Sequence, residues 1–271
     1  MKNSAVLLIL ACFFASISHT YAAGVLSENI RIESDVLSYS LQYRVYTPDA
    51  MTSDGDYPTI YVTDGPMYIE QGEMVSVMDG LIATGKMKPV IAVFVDARNP
   101  DNLRENRRNN QYLCKADFAR FFISEMITTI ENNYPVSQNK QDRVIQGVSF
   151  GGLNAACFGL MAKGEFGGLS MHSPANSNHL RMLQKEYGSG DKLPLKMFLS
   201  FGNESDNQRE GRRFKNVLFD RDYDVNYFEN EEGHNWKNWR PLIDDALLTF
   251  FAKWMQIVKN RVKMKKYTLL I

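Results

Sequence analysis

The 271-residue chain carries 31 basic and 31 acidic residues, so its formal net charge at pH 7 is zero. This balance gives no broad basic surface of the kind that binds nucleic acid, and the cysteines and histidines show no metal-type spacing. A chain of this length is expected to form one domain with a sizeable core.

The first 22 residues have the three parts of a secretory signal peptide. Lys2 supplies a charged start, residues 5–17 form an apolar stretch too short to span a bilayer, and small residues lead to cleavage near Ala22. A retained membrane anchor is the alternative. We therefore expect a mature domain at 23–271, without a stable membrane anchor, in the periplasm or outside the cell.

The mature region alternates strand-like and helix-like segments. Residues 39–46 alternate apolar with polar side chains and predict a half-exposed edge strand. Runs typical of parallel strands buried on both faces follow at 57–63 and 90–95. Further strands are predicted at 143–145, 168–171, 197–201 and 225–228, and helices at 74–84, 117–132, 153–161, 209–219 and 242–258. This order predicts an α/β fold with a mostly parallel twisted sheet and helices on both faces.

Residues 146–152 read Gln-Gly-Val-Ser-Phe-Gly-Gly, between a strand-like run and a helix-forming run. Glycines two residues before and two residues after Ser149 permit a sharp strand-to-helix turn that exposes the serine hydroxyl at the top of a sheet. The start of the following helix points free backbone N–H groups at the same place. The pattern predicts a nucleophile elbow with Ser149 as the nucleophile, and an ordinary glycine-rich turn is the alternative.

A serine nucleophile needs a base and an acid that orients the base, in the chain order serine, acid, histidine. His234 follows the last predicted strand, and we identify it as the base. His172 follows the strand after the elbow and is expected to be a packed histidine. The loop after residue 201 offers Asp206 and Glu204 as the acid. Chain position favours both equally, and the shorter side chain favours Asp206.

Only Cys114 and Cys157 remain after signal cleavage. Export would allow them to pair, but Cys157 lies on the apolar face of the helix after the elbow. There we expect a buried free thiol.

Three segments together resemble the putative-esterase family of α/β hydrolases. They are residues 61–65, 147–152 and 233–236, the last followed by Trp239 and Arg240, and they occur in the family order. The family includes enterochelin and trilactone siderophore esterases, S-formylglutathione hydrolase, feruloyl esterases and mycolyltransferases. The resemblance implies an α/β-hydrolase fold without a large lid. It also implies a serine hydrolase or acyltransferase that acts on esters or thioesters without a cofactor.

The oxyanion that forms during ester cleavage needs two N–H donors. One is expected from Phe150, the residue after the nucleophile. In several family members the residue after the Asp-Gly pair donates the other. Here that residue is Pro66, which has no N–H, so Gly65 or Met67 must serve.

The family does not define the substrate. Tyr68, Trp236 and Trp239 are candidates for an aromatic or acyl pocket, although aromatic side chains near an α/β core more often pack within it. Arg107 belongs to an arginine cluster that could bind an anionic substrate such as a ferric catecholate siderophore, and a solvated charge run is the alternative.

Three interpretations of the function therefore stay open. The first is an exported serine esterase with an unassigned small-molecule ester substrate, with an acyltransferase as a further alternative. The second is a periplasmic siderophore trilactone esterase, and the third is a catalytically silent binding protein on the same fold.

Overall fold

The computed structural model of the protein describes residues 23–49 and 51–253. The predicted signal peptide at 1–22 and the end of the helix predicted at 242–258 lie outside these ranges. Within them, no helix is both long enough and apolar enough to cross a membrane.

A mixed sheet of nine strands forms the centre of the domain, and a separate two-stranded hairpin lies outside it. The strands are β1 Val25–Leu26, β2 Ile30–Ser34, β3 Tyr39–Thr47, β4 Thr59–Val62, β5 Ile91–Asp96, β6 Arg98–Asn99, β7 Asn102–Asn106, β8 Arg143–Val148, β9 Gly168–His172, β10 Lys196–Gly202 and β11 Asp224–Asn230. Along the sheet the order is β1-β3-β5-β4-β8-β9-β10-β11, with β2 paired to β3, while β6 and β7 form the hairpin. The six strands β4, β5 and β8 to β11 are parallel, so their carboxyl ends share one edge.

Helices cover both faces of the sheet. They are α1 Gly65–Glu70, α2 Met74–Ala83, α3 Arg108–Tyr112, α4 Ala116–Phe121, α5 Ile127–Asn133, α6 Phe150–Met161, α7 Ser177–Ser189, α8 Gln208–Asp220, α9 Trp236–Trp239 and α10 Ile243–Phe251. A π-helical turn at Phe122–Met126 joins α4 to α5. One core cluster contains Phe122 and Phe158, and another contains Met78 and Leu247. The predicted α/β fold is confirmed.

The prediction of a half-exposed edge strand at 39–46 is wrong. β3 pairs with β5 on one side and with β1 and β2 on the other, so it is an internal strand. Its polar residues do not mark a solvated face, because they have partners. Gln42 donates to Asp96 Oδ2 at 2.8 Å, and Arg44 Nε donates to the Ser27 carbonyl at 2.6 Å.

The expectation of free thiols at Cys114 and Cys157 is also wrong, because the two residues form a disulfide with Cα atoms 5.4 Å apart. Cys157 is buried on α6, as its position on an apolar face predicts. Cys114 follows α3 in the left-handed region, at φ 51°. That turn brings its sulfur to α6, so the bond ties the α3–α4 segment to the helix that follows Ser149.

Reduction of this disulfide is expected to lower the free energy of unfolding. A bond that closes a loop of 43 residues restricts the unfolded chain by about 4 kcal/mol in the chain-entropy model. Urea unfolding of the mature protein with and without a phosphine reductant measures the change. A Cys114→Ser/Cys157→Ser double variant is the control and should not respond to reductant. Equal wild-type midpoints in both conditions would rule out a stabilising disulfide.

The turn between β8 and α6 has the geometry of a nucleophile elbow. Ser149 has φ 55° and ψ −119°, a combination that L-residues rarely adopt. A Cβ on Gly147 would lie 2.3 Å from the Gly151 carbonyl carbon, and one on Gly151 would lie 2.6 Å from Thr63 Oγ1. The turn therefore requires glycine at both positions.

Gly147→Ala is expected to destabilise the fold and to abolish any turnover that depends on Ser149, because the added methyl group collides with backbone atoms. Gly80→Ala is the matched control, since Gly80 lies in α2 and a Cβ there meets nothing within 4 Å. That control should keep wild-type turnover and gain about 0.5–1 kcal/mol of stability from helix propensity. Activity assays and urea unfolding measure both variants, and wild-type turnover in Gly147→Ala would contradict the packing argument.

Candidate active site

Ser149, His234 and Asp206 meet at the carboxyl edge of the sheet. Each follows a parallel strand: Ser149 follows β8, Asp206 follows β10 and His234 follows β11. His234 Nε2 lies 2.8 Å from Ser149 Oγ, and His234 Nδ1 is hydrogen-bonded to Asp206 Oδ1. When Nδ1 donates its proton to the carboxylate, Nε2 is left as an acceptor directed at the serine hydroxyl.

The Asp206 carboxylate is buried and held by several donors. Its Oδ2 accepts from the Gly202 N–H at 2.6 Å, from Ser173 Oγ at 2.5 Å and from Asn238 Nδ2 at 3.1 Å. Hydrogen bonds to an ionised oxygen are strong and directional. Because the three donors occupy Oδ2, the other oxygen is turned towards His234.

Glu204, the alternative acid, has an exposed side chain, and its backbone joins two loops. Its N–H donates to the Glu232 carbonyl at 3.2 Å, and the N–H of Asn203 donates to the Asn230 carbonyl at 2.9 Å. A Cβ on Gly202 would lie only 1.9 Å from the Glu232 carbonyl oxygen. The loop after β10 therefore packs tightly against the loop that carries the histidine, and of the two carboxylates it brings Asp206 to that ring.

Among the backbone N–H groups near Ser149, two that were predicted as oxyanion donors have no hydrogen-bond partner in the part of the chain that the structure describes. They belong to Phe150 and Gly65, the first residues of α6 and α1. The N–H of Met67 donates to the Asp64 carbonyl at 2.9 Å. Of the two predicted alternatives for the second oxyanion donor, Gly65 is therefore the one whose N–H is free.

The predicted pocket aromatics pack in a row that leads to His234. Ring centroids lie 5.2 Å apart for Tyr68 and Trp236, 5.5 Å apart for Trp236 and Trp239, and 5.0 Å apart for Trp239 and His234. Tyr68 is fully buried, and Trp239 donates its indole N–H to Ser173 Oγ at 2.7 Å. Both side chains are therefore packed in the core next to the site. Trp236 is half-buried and also lines a surface groove of about 730 Å³.

Arg107 and Arg108 take different positions. Arg107 stacks on the Tyr39 ring at 4.5 Å and donates to Glu105 and to the Ser40 carbonyl, so it is engaged by groups other than the site residues. Arg108 instead forms a bidentate ion pair with Asp64, the residue before Gly65. Arg108, and not the predicted Arg107, is therefore the arginine that contacts the site.

Ser173 and Asn238 also lie at the site and were not predicted, whereas Arg108 was predicted only as a member of the same arginine cluster as Arg107. Ser173 follows β9, and its place at the end of a parallel strand was a usable signal. Asn238 and Arg108 had no such signal, because their contacts depend on how α9 and α3 pack. No cluster of three or more His, Cys, Asp or Glu side chains among residues 23–49 and 51–253 could hold a metal ion.

His172 is a packed histidine, as predicted. It is fully buried, its Nδ1 lies 3.1 Å from Ser200 Oγ, and its ring packs 5.0 Å from that of Phe198. Its backbone carbonyl accepts the N–H of Ser149 at 2.8 Å, so its contact with the elbow is made by the backbone. Burial lowers the pKa of its imidazole to about 3.

This buried imidazole should make the protein less stable in acid. The unfolded chain binds a proton at His172 below pH 6.5, whereas the folded chain does so only near pH 3, so stability falls as pH falls between these values. From pH 7 to pH 5 the loss from this group is about 2 kcal/mol. Urea unfolding at both pH values should show a smaller loss for His172→Gln than for the wild type. Equal losses would contradict a neutral buried imidazole.

Comparison with known proteins identifies the family. A family model described as "Putative esterase" matches residues 34–250. The endo-1,4-beta-xylanase/feruloyl esterase of Xylanibacter ruminicola is 30% identical over 116 residues, which cover 41% of this chain and 16% of that protein. The iron(III) enterobactin esterase of Escherichia coli K12 is 25% identical over 146 residues, 54% of this chain and 35% of that one. The chain thus matches about a third or less of the length of these two relatives.

An acetyl esterase of Caldicellulosiruptor saccharolyticus is 24% identical over 72% of this chain and 84% of its own length. The structure of an enterobactin esterase from Shigella flexneri has a TM-score of 0.73 at 20% identity and covers 85% of this chain and 59% of that one. A ferulic acid esterase structure has a TM-score of 0.71 at 21% identity, over 84% of this chain and 97% of that one. These structures share the fold, and with the match over residues 34–250 the chain belongs to the putative esterase family.

Proposed function

We propose that this protein is an exported serine esterase that hydrolyses carboxylic or thio esters through an acyl-enzyme on Ser149. The observation that carries the proposal is the hydrogen-bonded chain from Ser149 through His234 to Asp206, beside the free N–H groups of Phe150 and Gly65. Membership of the putative esterase family supports ester hydrolysis as the reaction.

The first half of the reaction forms the acyl-enzyme. His234 Nε2 takes the proton of Ser149 Oγ as the oxygen attacks the ester carbonyl carbon. The carbonyl oxygen becomes an oxyanion and accepts hydrogen bonds from the N–H groups of Phe150 and Gly65. Asp206 holds the ring in the required tautomer and stabilises the imidazolium. When the tetrahedral intermediate collapses, the imidazolium gives its proton to the departing alcohol or thiol.

The second half releases the acid. A water molecule gives a proton to His234 and attacks the acyl carbon, and Ser149 leaves with the proton returned by the imidazolium. The His234 side chain is 34% exposed, so solvent reaches the base. Water can therefore serve as the acyl acceptor. The complete hydrogen-bond chain also argues against a silent binding protein.

Export is supported by two observations on different parts of the chain. Residues 1–22 have the composition of a signal peptide. The Cys114–Cys157 disulfide is of a kind that persists in oxidising compartments such as the periplasm or the extracellular space.

A siderophore trilactone esterase is the second candidate, and it is favoured by the similarity to iron(III) enterobactin esterases in sequence and fold. The engaged donors of Arg107 do not support an anionic pocket at that residue. Comparing kcat/KM for a catecholate trilactone, a feruloyl ester and an aryl acetate decides between this candidate and a general esterase. A clear preference for the trilactone would establish the siderophore assignment, and no cleavage of it would exclude that assignment.

Two carboxylate variants test the proposed roles. Asp206→Asn should lower turnover about 10⁴-fold, because the amide stabilises the wrong tautomer of His234. Glu204→Gln is the matched control in the same loop and should stay within about threefold of wild type, since its side chain is exposed. Ser149→Ala should form no acyl-enzyme and should show no turnover. The measurement is turnover of an aryl acetate at saturating concentration, and a collapse in Glu204→Gln alone would reverse the assignment of the acid.

A further inference from the structure

Arg108 joins the ends of the two strands that precede the proposed oxyanion donors. Its Nε donates to Asp64 Oδ1 at 2.7 Å, and its Nη2 donates to Asp64 Oδ2 at 2.8 Å and to the Val148 carbonyl at 3.0 Å. Its guanidinium also lies over the Phe150 ring, 5.2 Å from the centroid. One side chain therefore holds the ends of β4 and β8 together where each strand turns into its helix.

Asp64 has a conformation that needs support. Its φ of 58° and ψ of 35° lie in the left-handed region, which non-glycine residues rarely occupy. Its N–H donates to Tyr112 Oη at 3.1 Å, on the same helix as Arg108. The first turn of α6 packs against its carboxylate, since a Cβ on Gly151 would lie 2.9 Å from Oδ2. The backbone of Asp64 directly precedes the Gly65 N–H and so determines where that donor points.

The Asp64 carboxylate depends on Arg108 for its charge. Its side chain is only 9% exposed, and burial raises the pKa of the carboxyl, while Arg108 acts in the opposite direction. A buried carboxylate without its cation must take up a proton or move towards solvent. Either change would release the side chain from its contacts with α3 and α6.

We propose that Arg108 is a positioning residue that aligns the N–H groups of Gly65 and Phe150 as one oxyanion hole, through its ion pair with Asp64 and its hydrogen bond to Val148. The inference rests on the proposed function, because those two groups matter for the rate only if an oxyanion forms between them. In this arrangement Arg108 acts through Asp64 and the strand ends, and it takes no proton.

The test compares Arg108→Gln with Arg98→Gln. Arg98 is the matched control, because it forms a bidentate pair with the buried Asp96 at the end of β5, the next strand. Arg108→Gln should lower kcat about 100-fold with KM changed by less than about threefold, as expected when a donor is misplaced. Arg98→Gln should keep the wild-type kcat.

A second measurement separates positioning from a general loss of structure. A trifluoromethyl ketone forms a tetrahedral adduct whose oxygen sits in the oxyanion hole, so its inhibition constant should weaken about as much as kcat/KM falls in Arg108→Gln. If that variant does not fold, Arg108→Lys serves instead. The lysine ammonium keeps the positive charge but cannot form the bidentate pair with Asp64, so kcat should still fall about tenfold at unchanged KM.

Three results would overturn the inference: a wild-type kcat in Arg108→Gln or Arg108→Lys, a loss confined to KM, or an equal loss in Arg98→Gln. Ser149→Ala, assayed in parallel, separates this inference from the proposed function. If Ser149→Ala is inactive while Arg108→Gln has wild-type turnover, only the positioning role fails. If Ser149→Ala keeps turnover, the proposed serine mechanism itself fails.

Discussion

The close approach of α6 to the ends of β4 and β8 is the constraint on which the site depends. Nothing larger than hydrogen fits on the inner side of the turn at Gly147 and Gly151. The hydrogen bonds from the Ser149 N–H to the His172 carbonyl, and from the Leu153 N–H to the Ser149 carbonyl, hold the serine in its strained conformation. Because α6 begins directly at this turn, the same packing leaves the Phe150 N–H free beside the serine hydroxyl.

The parallel strand order brings the other two side chains to that hydroxyl. β10 and β11 are paired up to Gly202 and Asn230, so the loops that follow them leave the sheet side by side. One loop contributes a buried carboxylate with three donors on a single oxygen, and the other contributes an imidazole that stays open to solvent. The buried Asp206 carboxylate orients the imidazole ring. The exposure of His234 gives water and substrate access to the ring.

The meeting of Ser149 and His234 could be predicted from sequence because each position depends on local chemistry or chain order: glycines around Ser149, and a histidine after the last strand. Chain position could not separate Asp206 from Glu204, and only side-chain length favoured Asp206, because the difference between them depends on how the loop turns against Gly202. The partners of β3 and the pairing of Cys114 with Cys157 were missed for a related reason. Both depend on segments distant in sequence, residues 25–34 and the turn after α3, to which no strand or helix was assigned from the sequence.

Covalent labelling by a fluorophosphonate probe tests whether Ser149 is an activated nucleophile. The probe reacts only with a serine whose proton is taken by a neighbouring base, and its adduct can be located by peptide mass spectrometry. The account predicts a single adduct, on the peptide that contains Ser149, and none in the Ser149→Ala variant. Equal labelling of the two proteins, or an adduct on another serine of the wild type, would contradict it.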